Sequence, residues 1–230
     1  MRTIIALGAL VAGIAMPASA AEKSWMIGNF ESLDVGGSFD VDVVTGRAQG
    51  VVATGPQNEL DKMQVDVSSG TLKLRSRKDD KWFSWSDGGD RVQVRVTVPR
   101  LSKARLSGSG DVIVDEMEGT DVSLSLTGSG NLKVGAVSSE TLALSASGSG
   151  DIGAAGECRS GDYSVTGSGK ISAADLACRD LAAKVTGSGD ILASASRSAK
   201  ANITGSGDIS ITGGADCETR IVGSGDVRCD

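Results

Sequence analysis

The sequence predicts an all-β protein folded as a parallel β-helix, a solenoid of stacked coils. Its main evidence is the triplet Gly-Ser-Gly, which recurs every 18–20 residues with its first glycine at Gly108, Gly128, Gly148, Gly167, Gly187, Gly205 and Gly223. A period of this length is typical of repeat architectures in which each unit stacks on the next. Around each triplet, apolar and polar residues alternate with the period of a strand rather than of a helix.

The glycines of each triplet have the same parity as the apolar residues that flank them. Leu106 precedes the first triplet by two residues and Val112 follows it by two. An inward glycine indicates a corner too tight for a Cβ atom, or a close approach of two backbones. Each coil is therefore predicted to contain a strand, a Gly-Ser-Gly corner, a second strand and a variable turn, such as residues 115–120. Unequal turn lengths would absorb the drift in spacing, in about seven coils over residues 101–230.

The repeat-turn ladder predicted from these corners consists of the two glycines and the residue after them. Its members are Gly108, Gly110, Asp111, Gly128, Gly130, Asn131, Gly148, Gly150, Asp151, Gly187, Gly189, Asp190, Gly205, Gly207 and Asp208. Calcium prefers six to eight oxygen ligands, whereas one carboxylate per coil is sparse and Lys170 interrupts the column. We therefore predict no metal site, and interpret these side chains as hydrogen-bond acceptors for the backbone of their own corner.

Residues 28–100 alternate in the same way but lack the triplet, as in Val92, Val94, Val96 and Val98. The terminal units of a solenoid are atypical because they cover the end of its core. We predict irregular opening strands that cap the helix, with residues 21–230 forming a single domain.

The first 20 residues are typical of a signal peptide. Arg2 is followed by an apolar stretch at residues 4–15 and by the small residues Ala18, Ser19 and Ala20, which predict cleavage near Ala20. The apolar stretch is too short to span a bilayer, and no later segment predicts a transmembrane helix. We expect a periplasmic, cell-surface or secreted protein. Its net charge of −6 argues against a nucleic-acid partner.

Four cysteines follow the signal peptide, an even number that favours disulfides in an exported protein. Cys158 and Cys178 each lie nine residues before a triplet, so they are expected to stack in adjacent coils. Cys217 and Cys229 both fall in inward columns of the last coil. Two disulfides, 158–178 and 217–229, are therefore predicted. The alternative is four buried thiols that pack as small apolar side chains.

The sequence offers little for catalysis. It contains no histidine, the commonest general base and zinc ligand, and no nucleophile–base pair. We therefore predict no enzyme activity and no cofactor. The densest aromatic group is Trp82, Phe83 and Trp85, flanked by charged residues and glycines. We predict that this group projects and contacts a ligand. The alternative is a flap over the end of the core, or a dimer contact.

Two stretches resemble the head GIN domain family of bacterial envelope proteins, also called auto-transporter adhesin heads. They are Phe39-Asp40-Val41-Asp42-Val43 and the run from Val94-Arg95-Val96-Thr97-Val98-Pro99 into Ser107-Gly108-Ser109-Gly110-Asp111. The resemblance implies a right-handed parallel β-helix and assigns no catalytic or ligand residues. Because the sequence ends at Asp230 without a translocator domain, we do not expect the protein to transport itself.

Together these features favour an exported, non-enzymatic adhesion or binding module, whose partner is a glycan or an envelope protein. The alternatives are a structural periplasmic scaffold without a specific ligand and, third, a glycan-active β-helix enzyme. The sequence leaves the oligomeric state open.

Overall fold

The described residues, 21–77 and 92–230 of the computed structural model, form one 16-stranded sheet wound into a β-helix of about six turns. The elements, in chain order, are β1 (Ala21–Trp25), β2 (Ser32–Gly37), β3 (Asp40–Val44), β4 (Gly50–Gly55), α1 (Gln57–Lys62), β5 (Met63–Ser68), β6 (Thr71–Ser76), β7 (Gln93–Thr97), β8 (Lys103–Gly108), β9 (Asp111–Gly128), β10 (Asn131–Gly148), β11 (Asp151–Gly167), β12 (Lys170–Gly187), β13 (Asp190–Gly205), β14 (Ile209–Thr212), β15 (Asp216–Gly223) and β16 (Val227–Cys229).

The regular coils are stacked in parallel, as the repeat predicted. Strands β9 to β13 each pair with the next in parallel register. The first glycines lie opposite one another, with Gly148 facing Gly128 on one side and Gly167 on the other. The triplets therefore form one vertical line, which confirms the predicted parallel β-helix and excludes hairpins with Gly-Ser-Gly at their tips.

The predicted variable turns are not loops, and this expectation was wrong. Each of strands β9 to β13 runs for 16–18 residues, from the residue after one triplet to the first glycine of the next. Where coils differ in length the ladder shifts register, for example between Val134 and Val137. A bulge of this kind accommodates an extra residue while the flanking backbone stays paired. The difference in coil length is absorbed inside the strands.

The core is built from the inward columns predicted by alternation. Leu126, Ala146 and Val165 are buried in adjacent coils, two residues before their triplets. Tyr163 is also fully buried, and it is accommodated by the absence of a side chain at Gly161. A Cβ atom at Gly161 would lie 3.0 Å from Cε1 of Tyr163. Neighbouring columns therefore exchange volume to keep the interior packed.

The β-helix begins earlier than the first Gly-Ser-Gly. Strand β2 pairs in parallel with β8, and Gly37 lies opposite Gly108. The backbone N–H of Ser109 donates to the carbonyl of Gly37 at 3.2 Å. The segment Gly37-Ser38-Phe39-Asp40 therefore forms a corner of the same stack. It differs from the repeat by one residue, Phe39 in place of a glycine.

The rest of the opening region is largely antiparallel. Strand β4 pairs antiparallel with both β1 and β7, and β5 pairs antiparallel with β6. The six-residue helix α1, which the sequence analysis did not predict, places Leu60 in the core with no exposed surface. Nζ of Lys23 donates to the carbonyl of Leu60 at 3.3 Å and lies 5.3 Å from the ring centroid of Trp25. These contacts join the helix to the edge strand β1.

The two glycines of a corner are required for different reasons. Gly148 has φ +115°, and a Cβ atom there would lie 2.4 Å from the carbonyl oxygen of Gly128. A Cβ atom at Gly150 would lie 2.2 Å from the carbonyl oxygen of Gly130. Gly150 is buried but Gly148 is exposed, so the expectation that both glycines face inward holds for the second only. The positive φ of Gly148 interrupts the alternation.

The corner predicts a strong penalty for a single methyl group. We expect Gly150→Ala to lower the free energy of unfolding by about 3 kcal/mol or more, because the added Cβ would overlap a backbone oxygen that side-chain movement cannot displace. The matched control is Gly153→Ala in the same coil, where a Cβ would make an ordinary 3.5 Å contact with Lys133. Urea unfolding of both variants is the measurement. Equal midpoints would contradict this account of the corner.

Candidate functional site

The residue after each triplet caps the backbone of the next coil. Oδ1 of Asp111 accepts the N–H of Asn131 at 3.1 Å, and Oδ1 of Asp151 accepts the N–H of Lys170 at 2.9 Å. Oδ1 of Asp190 accepts the N–H of Asp208 at 3.0 Å. These carboxylates therefore act between coils. The expectation that they bond to their own corner was wrong, because the nearest unpaired donor lies in the coil above.

The ladder continues where it lacks a carboxylate. Above Asn131 the N–H of Asp151 donates to the carbonyl of Gly130, and above Lys170 the N–H of Asp190 donates to that of Gly169, both at 3.2 Å. Every residue of the predicted ladder thus has a backbone role. Within residues 21–77 and 92–230, no three Cys, Asp or Glu side chains are grouped so as to hold a metal ion.

Both predicted disulfides are formed. Cys158 and Cys178 link adjacent coils with their Cα atoms 4.5 Å apart, and Cys217 and Cys229 link the two sides of the last coil. The hydroxyl of Tyr163 lies 3.3 Å from Sγ of Cys178. A bridged sulfur carries no hydrogen, so Tyr163 is the donor. Burial raises the pKa of this phenol well above its ordinary value.

A groove of about 800 Å³ runs across the 158–178 disulfide on the outside of strands β9 to β13. It is lined by Gly119, Thr120, Ser138, Ser139, Glu140, Glu157, Cys158, Arg159, Ala177, Cys178, Arg179, Ser196 and Arg197. The lining is rich in hydroxyl and guanidinium groups and contains no aromatic side chain. It is the largest concave feature that we find on the described part of the chain.

Three arginines form a vertical row in this groove, which we call the arginine column: Arg159, Arg179 and Arg197. The pairing of Cys158 with Cys178 and of Asp180 with Ser198 places them in consecutive coils. Neighbouring strands of a sheet lie about 4.8 Å apart, so the attachment points of the three side chains repeat at this spacing.

The three arginines differ in how firmly each is held. Nε of Arg197 donates to Oδ1 of Asp180 at 2.6 Å, and its Nη2 donates to Oδ2 of the same carboxylate. The hydrogen bond from Arg197 holds the pKa of Asp180 below its ordinary value, with a further contribution from Ser198, and the pKa of Arg197 is raised in turn. This stabilisation is present at neutral pH and is lost as the pH falls through the lowered pKa of Asp180. It is small for a surface pair.

The other two arginines are less constrained. Nη1 of Arg159 lies 3.5 Å from Oε2 of Glu140, with both side chains more than 60% exposed. Such a pair contributes little and exchanges readily with solvent or ligand. Arg179 is exposed and has no carboxylate within 4 Å among the described residues. The middle of the arginine column is therefore available to an anionic group.

The sequence analysis missed the arginine column although its signal was present. Each arginine lies eight residues before the next triplet, one position after the Cys158 and Cys178 column. Arg100 has the same spacing, but lies outside the groove and pairs with Glu118 at 2.9 Å. The alignment of columns was used to find inward residues, and outward columns carry no hydrophobic signal.

The predicted aromatic group, Trp82, Phe83 and Trp85, lies outside the described residues, so its role in binding stays a prediction. No helix in the described ranges is long and apolar enough to cross a membrane. The predicted signal peptide also lies outside these ranges.

The sequence of residues 29–215 matches a family described as "Putative auto-transporter adhesin, head GIN domain". The chain belongs to this family. The match covers most of the sequence and confirms the resemblance found in its motifs. A comparison with curated proteins gives no match.

Solved structures agree on the fold. The structure is similar to that of a "putative adhesin" from Bacteroides fragilis, with a TM-score of 0.82 and 22% identity over 93% of this chain and 98% of that one. A "putative lipid binding protein" from Parabacteroides distasonis gives a TM-score of 0.71 and 23% identity over 93% and 97%. A "putative adhesin" from Parabacteroides merdae gives 0.72 and 22% over the same shares. At these identities the likeness concerns the fold.

The two bridges predict a protein without free thiols. A thiol reagent applied under denaturing, non-reducing conditions is expected to label no cysteine, and peptide mapping is expected to recover the 158–178 and 217–229 links. Replacing Cys158 and Cys178 together by serine should cost about 2–4 kcal/mol of stability. Cys217→Ser/Cys229→Ser is the matched variant and should keep the first link. Labelling of all four cysteines in the unmodified protein would show that the bridges do not form in solution.

Proposed function

We propose that this chain is an exported, non-enzymatic adhesion module of the bacterial envelope. Its coils supply a rigid scaffold, and the groove over the 158–178 disulfide supplies the binding surface. The observation that carries the proposal is the groove itself, a polar concavity that crosses strands β9 to β13 and contains an arginine without an ion-pair partner. Membership in the adhesin head family supports a binding role.

The chemistry of the groove supports binding rather than catalysis. Catalytic groups are usually held in sites that exclude water and shift their pKa values. The charged groups of this groove are exposed at its surface, and the described core contains no buried polar or charged residue. Together with a sequence that contains no histidine, this favours recognition by hydrogen bonds and charge.

Export is supported by the signal-peptide pattern of the first 20 residues and by the disulfides. Disulfides persist in oxidising compartments such as the periplasm and the cell surface, and are rare in the cytosol. Both bridges hold parts of the β-helix that carry exposed surface, the groove and the last coil. We place the mature protein, beginning near Ala21, in the periplasm or at the cell surface.

A second contact is proposed for Trp82, Phe83 and Trp85. Aromatic side chains carry much of the energy at binding sites, and the described coils present mostly short polar side chains. The aromatic group would extend the binding surface beyond the groove.

The test is saturable binding of the purified, fluorescently labelled protein to envelope fractions and glycan arrays. We expect binding that unlabelled protein displaces, without turnover of the bound glycan. Replacing Trp82, Phe83 and Trp85 together by alanine should weaken binding at least about tenfold, or about 1.4 kcal/mol, and leave the melting temperature unchanged. Ile113→Ala removes an apolar side chain that is 52% exposed elsewhere on the coils and serves as the control.

The outcomes separate the possible roles. Absence of any saturable binding would contradict the adhesion proposal and favour a structural scaffold. Hydrolysis or elimination of a glycan would contradict the non-enzymatic part. A large loss of stability in the aromatic variant, with binding intact after correction for the folded fraction, would show that the aromatic group covers the core. The groove would then remain the proposed binding surface.

A further inference from the structure

We propose that the groove over the 158–178 disulfide binds an acidic polysaccharide whose carboxylates pair with the arginine column. This inference rests on the proposed adhesion function and names the class of ligand. It is carried by three observations on the same surface: the spacing of the arginines, the unequal way in which they are paired, and an unsatisfied hydroxyl in the groove.

The arginine column is an arrangement that calls for anions. Three guanidinium groups project from consecutive coils of a protein whose net charge is −6. Like charges at neighbouring positions repel, and only Arg197 is held by two hydrogen bonds to a carboxylate. Arg179 lies between the other two and has no such partner within the described residues. A carboxylate matches the planar fork of a guanidinium and would relieve this repulsion.

The groove also contains a hydroxyl that lacks a partner. Oγ of Ser139 is buried and forms no hydrogen bond with any described residue. A buried polar atom left unpaired costs about 1–3 kcal/mol. Ser139 lies opposite Cys158 in the adjacent coil, and both residues line the groove. A ligand hydroxyl or carboxylate placed against Arg159 and Arg179 would bring a hydrogen-bond partner close to this atom.

The shape favours a polysaccharide over a peptide. The groove extends over five strands, β9 to β13, which at about 4.8 Å per step gives a length of about 19 Å. Peptide recognition usually relies on apolar or aromatic anchors, and this lining has no aromatic side chain. Its hydroxyls and the carboxylates of Glu140 and Glu157 suit the many hydroxyl groups of a sugar chain. A polymer with repeated carboxylates would meet repeated guanidinium groups along the coils.

The test uses oligogalacturonate as the probe in isothermal titration calorimetry, with its methyl ester as the neutral counterpart. We expect saturable binding to the acid that weakens as salt is added, and none to the ester. Arg179→Gln should weaken binding at least about tenfold, and Arg159→Gln/Arg179→Gln should abolish it. Ser139→Ala should weaken binding by a smaller factor without lowering the melting temperature. The control is Lys184→Gln, which removes an exposed charge from the same coil but outside the groove.

Several results would overturn the inference. These are equal binding of the acid and the ester, equal effects of Arg179→Gln and Lys184→Gln, and tighter binding to anionic lipid vesicles or polyphosphate than to the oligogalacturonate. No binding of the acid, in a protein that still binds envelope fractions saturably, would reject this ligand class and leave the adhesion proposal standing. Failure to bind both the acid and the envelope fractions would contradict the two proposals together.

Discussion

The fold depends on a hydrogen bond made at every corner, from the N–H of the central serine to the carbonyl of the first glycine in the coil below. In the lower coils that carbonyl accepts a second bond from the following glycine: Gly128 receives the N–H groups of both Ser149 and Gly150 at 3.0 Å. The carbonyl can point along the axis only if nothing occupies the space above it. A Cβ atom on Gly148 would fill this space, which explains why glycine recurs and why the coils stack in one register.

Once the corners are aligned, the other columns follow. The carboxylates after the triplets reach the backbone of the next coil, and Cys158 lies opposite Cys178. The outward arginines align by the same constraint, so a structural repeat also produces a repeated surface. Differences in coil length are absorbed by bulges, and the register is restored before the next corner. The corner therefore positions the groove even though it contributes no residue to it.

Much of the fold was predictable because a parallel β-helix is nearly one-dimensional. Spacing and parity were enough to place the coils, the inward columns and both disulfides. The first corner was missed because Phe39 replaces a glycine and 71 residues separate Gly37 from Gly108, a gap filled by strands that pair mainly with one another. The arginine column was visible in the spacing, but the bidentate pair of Arg197 and the lone position of Arg179 depend on side-chain geometry. The orphaned hydroxyl of Ser139 depends on burial, which an alternating polar pattern does not indicate.

Native-state hydrogen exchange of the corner amides tests the central claim most directly. If the corner bonds hold the coils in register, the N–H groups of Ser149 and Gly150 should exchange only when the whole β-helix unfolds, with an opening free energy equal to the global free energy of unfolding. The same behaviour is expected at Ser168 and Ser188, whose N–H groups bond to Gly148 and Gly167 at 2.8 Å. Exchange of these amides through low-energy local opening, as in a surface loop, would contradict the claim that the corners fix the stack.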